Sequence, residues 1–313
     1  MNVESITSAI RQQVATVIVG QENLVDHLLI ALLSDGHILL EGVPGVAKTL
    51  SARLVARMLD CSFSRIQFTP DLMPADVIGT NVFDPRSLEF TFKRGPVFAN
   101  IVLGDEINRA PAKTQSALFE AMEERQVTID GRANPLPNPF MVIATQNPIE
   151  QEGTYRLPEA QLDRFLMKIV VTYPTLDEEQ EILLRQHVNG TTTKLDHITT
   201  QLTTQDLAML RQEVKAVTIE QGIVQYIAMI THATRQNPSL DLGASPRASI
   251  GILNASKARA VLQGRSFVIP DDVQSVATPV LRHRIQVAAQ HEIEGATPDQ
   301  IISDIIRAIE VPR

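Results

Sequence analysis

The stretch GVPGVAKTL, residues 42–50, decides how the whole chain is read. It follows an aliphatic run, HILLE (37–41), and precedes TLSARLVARML, whose apolar spacing is helical. The order strand, glycine-rich loop, Lys-Thr, helix is the setting of a phosphate-binding loop, G-x-x-x-x-G-K-[ST]. Gly42 and Gly45 let the chain curl around a point, with Val43, Pro44, Val46 and Leu50 completing the lining. Backbone N–H groups then face that point, and the positive end of the helix dipole adds to their pull on phosphate oxygens. In this frame Lys48 reaches the outer phosphates of ATP, and Thr49 offers its hydroxyl to Mg2+. Ala47 stands where the pattern has its last glycine. A Cβ at positive φ costs about 1–2 kcal/mol, so Ala47 is expected at negative φ with its N–H still presented.

Outward from the loop, five short aliphatic or β-branched runs recur: 37–41, 63–68, 100–104, 140–145 and 167–172. Most are nearly continuous in apolar residues, as strands buried on both faces of a parallel sheet must be. Helical patterns separate most of them, at 48–59, 111–124 and 158–164, and residues 4–34 read as helix with a break at Val19-Gly20-Gln21. This alternation predicts an α/β domain with a parallel five-stranded sheet flanked by helices. Two segments interrupt it. Residues 78–94 pair β-formers around Asp84-Pro85, and 125–136 turn at Asp130-Gly131, a strong hairpin signal. Both are expected to project from the sheet. Beyond Tyr173-Pro174 the strand signal fades and helices are expected at 177–187, 204–215, 219–235, 245–262, 271–287 and 297–310, with a polar connection at 189–203. The expected division is therefore an α/β domain over 1–173 and a smaller all-helical lid over 174–313.

Two further stretches carry chemistry. In IVLGDEINRA (101–110) an aliphatic strand runs into Asp105 and Glu106, at the carboxyl end where open α/β sheets bind ligands. Asp105 is placed to hold the magnesium shell and Glu106 to activate a water for attack on the terminal phosphate; the plainer alternative is a solvated acidic pair. In ATQNP (144–148), Asn147 offers a donor and an acceptor that can position that water; otherwise it is a turn residue before Pro148.

Composition removes several classes. Cys61 is the only cysteine, so an internal disulfide or cysteine-based zinc site is excluded, a small core residue is its simpler reading, and a reducing, cytoplasmic location fits. The formal net charge is −8 and Lys or Arg residues nowhere form a run of five, which argues against general nucleic-acid binding. Apolar runs fall short of the ~18–20 residues of a membrane span, and the first twenty residues do not read as a secretory signal. His283 has no metal partners at helical spacing and reads as a core or surface histidine.

GVPGVAKT, DEINRAPAKTQSALFEAMEERQVTIDG, ATQNPIEQEGTYRLPEAQLDRF and GASPRAS follow one another in an order that resembles the MoxR family of AAA+ ATPases, over roughly residues 5–310. In that family alanine before the loop lysine is common. Gly104 departs from the usual slightly larger residue but leaves the acidic pair intact. The resemblance implies that Arg164, in LDRF, is an arginine finger serving a neighbouring subunit's nucleotide, and that Arg247, in GASPRAS, couples the lid to nucleotide state. A helix-end cation and a surface arginine are the plain alternatives. Val19 and Gly20 match the segment that packs near adenine. Phe83, Phe90 and Phe92 would lie on a pore-facing hairpin, to grip a polypeptide or to pack on the domain.

The family further implies ATP and Mg2+ as cofactors and a homo-oligomeric, hexameric ring. It also implies a chaperone-like role in maturing, assembling or inserting metal into partner proteins, with adaptors such as von Willebrand factor A domain proteins. Other uses of the same core are a nucleic-acid motor, the ATPase subunit of a metal chelatase, and a nucleotide-dependent scaffold without turnover.

Overall fold

The computed structural model describes residues 3–43, 48–147, 155, 157–189, 198–199 and 202–312. Pro44, Gly45, Val46 and Ala47 lie outside the described residues, and with them the expectation about Ala47; most of the connection at 189–203 does too. The chain opens with α1 (Val3–Val17), α2 (Glu22–Leu33), β1 (Ile38–Gly42), α3 (Lys48–Met58) and β2 (Phe63–Gln67). It continues through α4 (Pro74–Ile78), β3 (Gly79–Asp84), β4 (Glu89–Arg94), β5 (Ile101–Asp105) and α5 (Ala112–Glu124). Next come β6 (Gln126–Ile129), β7 (Arg132–Pro135), β8 (Met141–Gln146), α6 (Glu159–Leu162) and β9 (Met167–Val171). The remainder comprises α7 (Leu176–Asn189), α8 (Thr204–Ala216), α9 (Gln221–Gln236), β10 (Leu240–Leu242), α10 (Pro246–Leu262), α11 (Pro270–Leu281), β11 (Gln286–Val287), α12 (Ala289–Ile293) and α13 (Pro298–Ala308).

The five aliphatic runs form one sheet in the order β2-β5-β8-β1-β9, with every neighbouring pair parallel. Side chains alternate between its faces. Ile38, Leu40, Ile143 and Ile169 face α1, α2, α3 and the lid helices in one apolar core, whereas Leu39, Val102 and Val142 face α5 and α4 in a second. Because the strands are parallel, their carboxyl ends share one edge, and that edge carries Gly42, Asp105 and the residue before Asn147. Gly42 is required there by close approach: a Cβ would stand 2.4 Å from the carbonyl oxygen of Val171. A Cβ on Gly104 would lie 3.1 Å from the ring of Phe68, so a larger residue at this position presses on the second core.

Both interruptions are antiparallel hairpins, β3 with β4 and β6 with β7. The second turns through Asp130 at φ 50° and Gly131 at φ 76°, as its sequence signalled. Asn81 on the first hairpin donates to the Asp130 carboxylate on the second, so the two are joined.

The helical region after residue 174 contains two features the sequence did not signal. Leu240–Leu242 and Gln286–Val287 form a two-stranded antiparallel ribbon, so the lid is not helical throughout. The helix expected over 271–287 accordingly stops at Leu281. Ile285 and Val287 are still buried, but on a turn and a strand, and spacing alone does not separate these from one more helical turn. The helix expected over 158–164 is also shorter, Glu159–Leu162, and gives way to a turn whose carbonyl oxygens at Asp163, Phe165 and Leu166 accept from Arg284.

Candidate active site

Lys48 and Thr49 open α3, directly after the loop that follows β1. The Lys48 ammonium donates to the Gly42 carbonyl oxygen at 2.6 Å, which holds it beside the loop. On the adjoining strands, the Thr145 hydroxyl donates to Asp105 Oδ1 at 2.6 Å and accepts from the Glu106 backbone N–H at 2.9 Å. One threonine thus fixes both members of the acidic pair. Glu106 itself is left-handed at φ 57°, which turns its side chain away from the strand direction. Asn147 is buried at the end of β8. The structure therefore brings Lys48, Thr49, Asp105, Glu106 and Asn147 to a single edge.

Three side chains there were not singled out from sequence. Arg65 pairs with Asp105 at 2.6 Å, and the Gln67 amide donates to Glu106 at 2.8 Å. Arg109 also meets Glu106 at 3.2 Å. Arg65 and Gln67 are two apart on β2, hence on one face, and β2 pairs with the strand carrying the acidic pair. Polar residues alternating at the carboxyl end of a neighbouring strand were the available signal.

The described residues contain no cluster of three or more metal-ligating side chains. That donor set fits Mg2+, which keeps several waters and takes only one or two protein ligands beside phosphate oxygens. Asp105 and the Thr49 hydroxyl would serve.

Val19 is half-buried and Gly20, at φ 74°, is exposed in the break between α1 and α2. Gly20 packs under the Glu178 carboxylate at the start of α7, a few residues past the carboxyl end of β9. Both therefore stand near the edge that carries the phosphate loop.

Arg164 and Arg247 do not. Arg164 precedes β9 and so lies at the amino end of the sheet, where Leu166 N–H bonds the His37 carbonyl oxygen before β1. It pairs with Glu123, at the end of α5, at 2.8 Å. Arg247, at the start of α10, reaches the same Glu123 at 3.5 Å and Asp163 at 3.9 Å. Five strand residues separate this end from the phosphate loop, roughly 13 Å at the usual rise. The lid packs against α2 and β9, behind the sheet, and carries Arg247 to the end occupied by Arg164.

A buried anchor holds that end. Arg284 directs all five of its N–H donors inward, to Asp163 Oδ1 (2.6 Å), the carbonyl oxygens of Asp163, Phe165 and Leu166 (3.1, 2.6 and 3.0 Å), and that of Val280 (2.5 Å). His283 adds a bond from Nε2 to the Phe165 carbonyl oxygen at 2.9 Å. Burial, with the Arg284 charge second, pushes the His283 pKa well below its ordinary value, so the ring is neutral.

On the hairpins, Phe83 and Phe90 stack on each other and stay exposed, whereas Phe92 meets Phe98 of the domain edge-on. Cys61 is half-buried against the main core, and burial followed by the nearby Asp60 pushes its thiol up to about 11. It is a protonated packing residue. No helix among the described residues is long and apolar enough to cross a membrane.

Residues 37–167 match the family described as "ATPase family associated with various cellular activities (AAA)", and residues 232–305 match the AAA lid domain. The chain is 47% identical over 310 residues to "Chaperone MoxR1" of Mycobacterium tuberculosis, covering 96% of this chain and 81% of that protein. It is 45% identical over 301 residues to the protein YeaC of Bacillus subtilis, covering 96% and 93%. A crystal structure of a protein described as an ATPase from Cytophaga hutchinsonii superposes with a TM-score of 0.90 at 43% identity, over 99% of this chain and 96% of that one. Relatives of this identity along nearly the whole length, together with both domain matches, show that the chain belongs to the MoxR family of AAA+ ATPases.

Proposed function

We propose that the protein hydrolyses ATP to ADP and phosphate at a site shared between adjacent copies in a homo-oligomeric ring, six copies being the expected number, and that it uses the cycle to remodel protein clients in the cytoplasm. The observation that carries this is the placement of Arg164 and Arg247 at the end of the sheet opposite their own phosphate loop. A cation there contributes to phosphate chemistry only when a neighbouring copy presents its nucleotide. Head-to-tail packing of identical chains, each offering the amino end of its sheet to the next copy's carboxyl edge, gives a ring when the rotation between copies closes.

Within one subunit Lys48 binds the phosphates, Asp105 and Thr49 hold Mg2+ through water, Glu106 takes the proton of the attacking water, and Asn147 orients that water. Bound Mg2+ supplies charge neutralisation at the phosphate oxygens. Val19 and Gly20 flank the base. Arg164 from the next copy stabilises the charge that develops on the transferred group, an effect worth about 10³–10⁵ in rate for such fingers. The lid, over 174–313, and the hairpins move with the cycle. The exposed Phe83–Phe90 pair is the proposed grip on a client, directly or through an adaptor of the von Willebrand factor A type. The M. tuberculosis relative's description as a chaperone supports this direction.

The test is Mg-ATP hydrolysis per subunit across a wide concentration range, for the parent chain and Arg164→Ala. Specific activity is expected to rise with concentration, and the variant to bind ATP without turning it over. Activity independent of both concentration and Arg164 would mean a self-contained site and end the ring proposal.

A further inference from the structure

Three features of the trans-acting end stand together. Arg284 is almost wholly buried, with its side chain 3% exposed, and spends four of five donors on the turn at 163–166. His283, beside it on the same lid turn, takes a further bond to Phe165. The Asp163 carboxylate also accepts from the Ser245 hydroxyl at 3.4 Å and faces Arg247 at 3.9 Å, both at the start of α10. Every one of these partners belongs to the lid, and the segment they grip is the one that bears Arg164. Arg164 itself touches Glu123 of the sheet domain and takes no bond from Arg284. So the lid holds the backbone under the finger and leaves the guanidinium free to change partners.

We propose that Arg284 is a positioning residue for Arg164: it locks the turn at 163–166 to the lid, so that the lid of one subunit sets the fit of its finger against the next subunit's nucleotide. This rests on the reading that Arg164 serves a neighbouring site. A guanidinium suits the task because its planar fork satisfies several carbonyls and a carboxylate at once, which an ammonium with three donors does not. Rigid placement matters because a displacement of about 1 Å at a reacting centre costs on the order of 10²-fold in rate. Movement of the lid in one subunit thereby reaches the chemistry of its neighbour through a single turn of chain.

The test uses the full-length chain and four variants: Arg284→Lys, Asp163→Asn, Arg164→Ala and Glu106→Gln. Arg284→Lys keeps the charge and loses the fork. Its kcat is expected to fall about 10- to 100-fold, with KM and the affinity for a fluorescent ATP analogue within about twofold of the parent. Its defect lies on the donor side, so mixing it with Glu106→Gln subunits, which carry an intact latch and an inert site, should restore hydrolysis. The expected recovery is up to about a quarter of the parent rate, the share of junctions in a random one-to-one ring that pair a working site with a working finger. Arg164→Ala mixed with Glu106→Gln is the control. If the control recovers and Arg284→Lys either shows no loss or fails to recover, the latch is refuted while the shared site stands. If the control itself does not recover, the shared site fails and the latch with it. Should Arg284→Lys not fold, judged by its thermal unfolding, Asp163→Asn carries the same test, since it keeps the carbonyl contacts and removes the charged partner; it should lose several-fold in kcat and recover on mixing.

Discussion

Arg65 and Gln67 occupy both carboxylates on which the proposed chemistry depends. The Arg65 guanidinium pairs with Asp105 at 2.6 Å. A hydrated Mg2+ held by Asp105, as proposed, would compete with it for that carboxylate. Arg65→Ala is therefore expected to lower the Mg2+ concentration that half-saturates ATP hydrolysis, measured by magnesium titration at fixed ATP. An unchanged or higher requirement would mean the pair plays no part in metal entry. The acidic pair was legible in sequence because aliphatic residues running into Asp-Glu mark a strand end. Its partners were not, because which strand lies beside β5 is a matter of sheet order, and β2 comes some thirty residues earlier in the chain.

At the scale of elements, the first hairpin divides its aromatics by their distance from its tip. Phe83 and Phe90 sit directly opposite each other on β3 and β4, and Phe92 lies two ladder pairs further from the tip, against Phe98. Edge-on aromatic pairs contribute about 0.5–1.5 kcal/mol beyond burial, and of these three aromatics Phe92 is the one paired with a ring of the domain. Phe92→Ala is expected to lower stability by about 1 kcal/mol or more, whereas exposed Phe90→Ala should stay within about 0.5 kcal/mol. Urea unfolding of the two variants decides it; equal losses would mean that Phe90 also packs on the body and is no candidate for client contact. The hairpins were read correctly from turn residues and alternation, which are local. The lid ribbon was missed because two- and three-residue strands carry too little pattern to be seen.

For the molecule as a whole, two neutral histidines join its parts. His37 accepts from the Val142 N–H at 2.9 Å through Nδ1 and donates to the Met122 carbonyl oxygen at 3.2 Å through Nε2, tying β1 to β8 and α5. Burial first, then the Arg125 charge, lowers its pKa from 6.5 to about 3. His283, which ties the lid to the finger turn, is lowered in the same direction. Unfolded chains take up protons on these rings below about pH 6.5 and the folded protein does not, so the stability is fully present above that value and is lost as pH falls toward 3. The His37 ring contributes a slope of about 1.4 kcal/mol per pH unit well inside that window, and His283 acts in the same direction. Urea midpoints are expected to drop steadily from pH 7 to pH 5, before most carboxylates titrate. A flat profile would contradict the neutral, buried state of both rings.

The sequence by itself determined the sheet, the strand-end positions of Asp105 and Asn147, and the two hairpins. Each of these is written in a few consecutive residues whose spacing matches the repeat of a strand, a helix or a turn. It also supplied Arg164 and Arg247 through family likeness, but not the fact that they share one end of the molecule. Only the tertiary structure decided that, along with Arg65 on Asp105, Gln67 on Glu106 and Arg284 beneath the finger. The physical reason is distance along the chain. Arg284 and Asp163 are separated by 121 residues and are joined by a 2.6 Å contact. Such a pairing follows from how the lid folds back against the sheet, which the local pattern at neither position records.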